Sequence, residues 1–140
     1  MEEVVRIAGR LLIMAFRQYN PNPAGRYVGD CTIRAICKLT DQDWDDVYVG
    51  TSFEGFLHKD MPSGNSTWGS YLNRLGYVRR GLPDTCPFCY TVKDFCRDHP
   101  KGRYLLALEG HVVAVVDGDY YDTWDSGNEI PFYYWKKGEN

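Results

Sequence analysis

The chain has 140 residues, of which 44% are hydrophobic and 25% charged, and its formal net charge is −3. That length suits one domain with a real core, and the balance excludes a largely disordered chain. The acidic balance also argues against a nucleic-acid partner, because the only basic pairs, Arg79-Arg80 and Lys136-Lys137, read as solvated surface.

In chain order, the first apolar run is Leu11 to Phe16. A membrane span needs about 20 apolar residues, so no membrane association is expected, and no export signal is read before the run. Residues 1–16 read as a helix or strand that is either an N-terminal extension or the first element, with Met14 as a candidate alternative start. Residues Tyr19 to Gly29 carry two Pro, two Gly and two Asn and read as a loop. Cys31, Ala35 and Leu39 then fall at i, i+4, i+8, with Ile33, Ile36 and Cys37 beside them. The spacing predicts a helix that Asp30 would cap. A second helix is expected from about Thr40-Asp41, carrying Trp44, Val47 and Tyr48. A third follows Asn65-Ser66, with Trp68, Tyr71, Leu72 and Leu75 on one stripe and Gly76 as its stop. A fourth runs from a Thr91 cap through Val92, Phe95 and Cys96, and Pro100 and Gly102 end it.

Beyond Gly102 the chain reads as strands: Tyr104 to Leu108, His111 to Val116, Tyr120 to Asp125 and Ile130 to Trp135. Asp117-Gly118 is a two-residue hairpin signal. Helices followed by an antiparallel sheet mean a single α+β domain over 1–140.

The cysteines are Cys31, Cys37, Cys86, Cys89 and Cys96. An odd count without an export signal favours reduced thiols and a cytoplasmic location over a disulfide scaffold. Cys31 opens a helix, where the positive end of the dipole favours a thiolate and its own N–H is free to hold an oxyanion. Asp30 works against this if its carboxylate points at the sulfur. His111 begins an otherwise apolar strand and needs a polar partner. With a two-residue turn at Asp117-Gly118, Val116 pairs with Asp119, and His111 and Asp122 become diagonal neighbours on one face, about 7–8 Å apart at Cα. A three-residue turn would bring Asp125 to that face instead. An imidazole between a thiol and a carboxylate is the arrangement that activates a sulfur nucleophile. The same residues also fit a buried helical Cys and a satisfied strand His.

Three segments resemble the papain-like cysteine peptidase superfamily, and within it the small bacterial and phage domains of peptidase C39-like type. They are Gly29-Asp30-Cys31-Thr32-Ile33-Arg34-Ala35, Gly110-His111-Val112-Val113-Ala114-Val115 and Tyr121-Asp122-Thr123-Trp124. The resemblance implies a papain-like fold over about residues 17–136, with the nucleophile at a helix N-terminus packed on the sheet. It implies a thiol hydrolase acting on a peptide, isopeptide or related amide of a protein or peptide substrate, with Cys31, His111 and Asp122 as its triad. Deamidation, acyl transfer, and a binding module on the same fold stay open beside hydrolysis. Such enzymes supply an amide side chain shortly before the Cys. No amide lies among residues 25–30, so Asn22, ahead of Gln18 and Asn20, is the oxyanion candidate.

Cys86, Cys89, Cys96 and His99 form a C-x2-C-x6-C-x2-H pattern that could hold zinc. Cys96 also lies on the apolar stripe of its helix, and the spacing fits no common zinc module, so no cofactor is the expectation. His58 and the acidic run Asp43, Asp45 and Asp46 read as surface. The sequence does not fix the oligomeric state.

Overall fold

A computed structural model describes the backbone of residues 2–7 and 10–139 and the side chains of residues 15–139. The described elements run β1 (Glu2–Ile7), β2 (Arg10–Gln18), α1 (Cys31–Thr40), α2 (Trp44–His58), α3 (Asn65–Arg74), β3 (Tyr77–Gly81), α4 (Val92–Asp98), β4 (Arg103–Leu108), β5 (His111–Val116), β6 (Asp119–Asp122) and β7 (Tyr133–Lys137). The fold is α+β, with one sheet in the order β1-β2-β6-β5-β4-β7-β3.

The unbroken apolar runs of β4 and β5 have a simple cause: both faces of the sheet are covered. Leu105, Ala107, Val112 and Ala114 pack with Ala35, Ile36 and Leu39 of α1, Val47 of α2 and Trp68 and Leu72 of α3. Their strand neighbours Leu106, Leu108, Val113 and Val115 pack with Val92, Phe95 and Cys96 of α4. Alternation with period two therefore feeds two cores.

The turn after β5 sets the site. Asp117 and Gly118 both take positive φ, 50° and 83°, as a type I′ hairpin requires. The register is Val116↔Asp119, Val115↔Tyr120 and Ala114↔Tyr121, the one expected for a two-residue turn. Continuing it sets Val113 opposite Asp122 and leaves His111 and Asp122 diagonal on one face.

Four expectations change. The sheet is mixed, because β2 pairs parallel to β6 through Phe16↔Tyr120, Arg17↔Tyr121 and Gln18↔Asp122. Residues 10–18 are thus a strand inside the sheet, while Met1, residues 8 and 9, and Asn140 lie outside the described residues. The second helix starts later than Thr40-Asp41, since Asp41 at φ 60° closes α1 and Asp43 precedes α2. The last strand begins at Tyr133, just past Pro131, which has no N–H to give a ladder. Strand β3 was not expected. It pairs with β7 at the sheet edge and holds Arg79 and Arg80, charged residues that blunt an edge.

Candidate active site

Residue Asp30 sits at the N-cap of α1 yet makes no side-chain capping bond. Its carboxylate is taken elsewhere: Oδ1 accepts from Arg34 Nη1 at 2.7 Å and Oδ2 from Trp44 Nε1 at 2.8 Å. Two consequences follow. The charge next to Cys31 is neutralised by a guanidinium and turned from the sulfur, which answers the objection raised by the sequence. The first N–H groups of the helix, which have no intrahelical acceptor and which an Asp usually satisfies, stay uncapped beside Cys31.

The sulfur itself is half-buried. Burial raises its pKa, but the His111 ring, the backbone N–H of Val112 and the positive charges of His111 and Arg34 outweigh it, and the thiol is held below its ordinary value of 9.0. His111 moves the other way. Burial pulls the imidazole down, and the bonds to Asp122 and Cys31 lift it past that, from 6.5 to about 9. Both directions favour the same state, a thiolate beside an imidazolium. Cys37, nearly two helical turns further in, is the contrast. Burial and the nearby Asp30 and Asp43 push it up to about 12.

The carboxylate is the most tightly held group. His111 Nε2 donates to Asp122 Oδ2 at 2.7 Å, which leaves Nδ1 for Cys31. Ser126 Oγ donates to the same oxygen at 2.7 Å, while Thr123 N–H (2.8 Å) and Arg34 Nη2 (3.0 Å) donate to Oδ1. Burial would raise the Asp122 pKa, and the His111, Ser126 and Thr123 bonds bring it below the ordinary carboxylate value. Arg34 spans the site from below, joining Asp30 to Asp122 with all three side chains nearly sealed from water. The ring of Trp124 lies over His111, centroids 4.9 Å apart.

A cavity of about 510 Å³ opens on the imidazole side, walled by His111 and Trp124 with Leu82, Tyr90, Ile130 and Phe132. The acidic residues Asp84, Glu109 and Glu129 and the thiols of Cys86 and Cys89 also line it.

The structure brings Cys31, His111 and Asp122 together. Asn22 Oδ1 accepts from Ala24 N–H at 2.8 Å within its own turn. Of the other amides, Asn20 donates to the Arg26 carbonyl, and Gln18 donates to the Thr123 carbonyl at 3.2 Å, beside the Asp122 strand. Asp125 binds the Tyr120 hydroxyl.

The C-x2-C-x6-C-x2-H pattern comes apart. Cys86 and Cys89 meet, with sulfurs 2.6 Å apart, in an exposed loop. Cys96 is fully buried in the core under α4. His99 donates from Nδ1 to the Phe95 carbonyl at 2.9 Å and stacks on the Phe95 ring. Among the described residues no group of three or more His, Cys, Asp or Glu is arranged to hold a metal ion. His58 ends α2 and binds the buried carboxylate of Glu54 at 2.9 Å.

Sequence reasoning missed Arg34 and Ser126. Arg34 had a signal: an Arg four residues after Asp30, on the apolar side of a helix, needs a buried anion. Ser126 had none, since its place depends on how the chain turns after β6.

Family models, curated proteins and solved structures were all compared with the chain, and none matches it. Among the described residues no helix is long and apolar enough to cross a membrane.

Proposed function

We propose that the chain is a thiol hydrolase of papain-like type, cleaving a peptide, isopeptide or related amide through Cys31, His111 and Asp122. The observation that carries this reading is the thiol at an uncapped helix start, paired with an imidazole that a buried carboxylate holds by its other nitrogen. Charge placement supports it: the sulfur's pKa is depressed and the ring's is raised, as attack and leaving-group protonation respectively require.

The Cys31 thiolate attacks the carbonyl carbon. The oxyanion that forms is held by free N–H groups at the start of α1, of which the Cys31 N–H is the nearest to the sulfur. As the C–N bond breaks, the His111 imidazolium gives its proton to the leaving amine, which departs into the cavity on the imidazole side. The neutral imidazole then takes a proton from water, hydroxide attacks the thioester, and the acid is released as the thiolate and imidazolium return. Asp122 fixes the ring's tautomer and steadies its charge throughout. All five cysteines are free, which fits a reducing, cytoplasmic setting.

A binding module on the same scaffold is the second reading. The observation that favours it is that two of the amides before Cys31 have their donors engaged, Asn20 Nδ2 on the Arg26 carbonyl and Gln18 Nε2 on the Thr123 carbonyl. An activated thioester of a short peptide separates the two. A hydrolase forms an acyl adduct on Cys31, seen by peptide mass spectrometry, and turns it over. Absence of an adduct on the wild type, with Cys31→Ala retaining partner binding, leaves the binding module.

A further inference from the structure

Three loops build the cavity beside His111. Glu109 lies in the two-residue turn between β4 and β5, where Leu108 pairs with His111. Asp84 lies between β3 and α4, and Glu129 between β6 and β7. Backbone bonds fix the walls. Leu82 N–H donates to the Phe132 carbonyl at 3.0 Å, Phe132 N–H to that of Ala107 at 2.9 Å, and Val92 N–H to that of Glu129 at 2.9 Å. The loop that carries Glu129 also carries Ser126, whose hydroxyl holds Asp122. The cavity is therefore tied to the triad, and its volume of about 510 Å³ is that of a formed ligand pocket.

Its lining sorts into two kinds. Tyr90, Trp124 and Phe132 offer rings, and Asp84, Glu109 and Glu129 offer carboxylates. No Lys or Arg lines it, so among the lining residues only His111 can carry a positive charge, and Asp122 already answers that charge. Asp84 is engaged in its own loop, where Oδ1 accepts from Cys86 N–H at 3.0 Å, which leaves Glu109 and Glu129 as the main anions. An acidic occupant would be repelled here, and a neutral one would gain nothing from the carboxylates. A long aliphatic stem with a cationic head suits both kinds of wall: the stem lies along the apolar surface, and the head meets ring faces and carboxylates. That is the side chain of Lys or Arg.

We propose that this cavity is the leaving-group subsite and that, through Glu109 and Glu129, it selects a basic residue, Lys or Arg, immediately after the scissile bond. The inference rests on the thiol-hydrolase reading, because departure of the amine past His111 is what puts the leaving segment in the cavity.

Acyl transfer on the full chain tests it. An activated thioester of a short peptide loads Cys31, and argininamide or its uncharged isostere citrullinamide then competes with water for the adduct. The α-amine attacks the thioester carbonyl, the C–N bond forms as the C–S bond breaks, and the amine proton passes to His111 as Cys31 departs as thiolate. Argininamide is expected to capture the acyl group about five-fold better than citrullinamide or more, since two exposed carboxylates act on its head. Glu109→Gln with Glu129→Gln is expected to bring that ratio close to one, and a ratio taken on one enzyme does not move with a general loss of rate. Equal capture by the wild type, or a preference that the double variant leaves unmoved, overturns the inference and leaves the hydrolase standing. Failure of Cys31 to form an adduct removes the hydrolase instead, and binding of the same two amides, followed by NMR at the Trp124 indole signal, then decides. Tighter binding of argininamide that the double variant loses keeps the cavity as a site for a basic side chain, and equal binding overturns that as well.

Discussion

Two sets of reactive side chains in this molecule make the same promise in sequence, and folding treats them differently. Cys31, His111 and Asp122 are spread over three elements and converge on one hydrogen-bonded line. Cys86, Cys89, Cys96 and His99 lie within fourteen residues and diverge, two to an exposed loop and two to the aromatic packing around Phe95. Nearness in sequence is thus a weak guide to a shared site. A strand register and a helix start, both fixed by local turn chemistry, carry side chains together over long separations.

The sharpest way to break the convergent set is at the sulfur. Cys31→Ala is expected to lower turnover of an activated peptide thioester by at least about 1,000-fold, with little change in stability, as followed by initial rates and by thermal melting. Asp122→Asn keeps the size of the side chain and removes the charge that steadies the imidazolium. On a peptide anilide, whose leaving group is an amine, a rate loss of about 100-fold or more is expected, with the alkaline limb of the pH–rate profile moved acidward. The sign follows from the direction of the shift. His111 must be protonated to serve the leaving amine, so the wild-type limb falls near pH 9, and without the Asp122 charge the ring moves back toward 6.5. Rate is the right readout here. The raised His111 pKa gives stability that is lost as pH rises from 6.5 toward 9, and the lowered Cys31 pKa gives stability that is gained as pH rises toward 9.0, so the two contributions oppose each other in stability.

Beneath the triad the expected effect is on folding. Arg34→Met strands the buried carboxylates of Asp30 and Asp122, and a loss of about 3–5 kcal/mol is expected from urea unfolding. The divergent set should respond unevenly. Cys96→Ser places a hydroxyl in the α4 core and is expected to cost about 1–3 kcal/mol. Cys86→Ser with Cys89→Ser is expected to change stability by less than about 0.5 kcal/mol, and a chelator to leave the melting temperature unmoved. Equal losses at Cys86, Cys89 and Cys96, with sensitivity to chelation, would restore a joint zinc site.

The readable parts of the site share a cause. The Asp117-Gly118 turn fixes a register, and period two then selects Asp122 over Asp125. The Cys31 helix was legible because its apolar stripe begins immediately after a Pro- and Gly-rich loop. What stayed hidden depends on contacts between distant segments. Asp30 reads as a cap, but Arg34 and Trp44 claim its carboxylate, so the residue that seemed to oppose the thiolate leaves the helix start free. The Tyr77–Gly81 strand escaped notice because an exposed edge strand with two Arg shows no apolar alternation.

The most direct test of the central claim is the reactivity of the Cys31 thiol against pH, by iodoacetamide labelling and peptide mass spectrometry on the wild type and His111→Ala. The account predicts that at about pH 6 Cys31 labels much faster than Cys37, whose thiol is pushed up to about 12, and that it loses this advantage without His111. Labelling of Cys31 no faster than Cys37, or unchanged by His111→Ala, would contradict it.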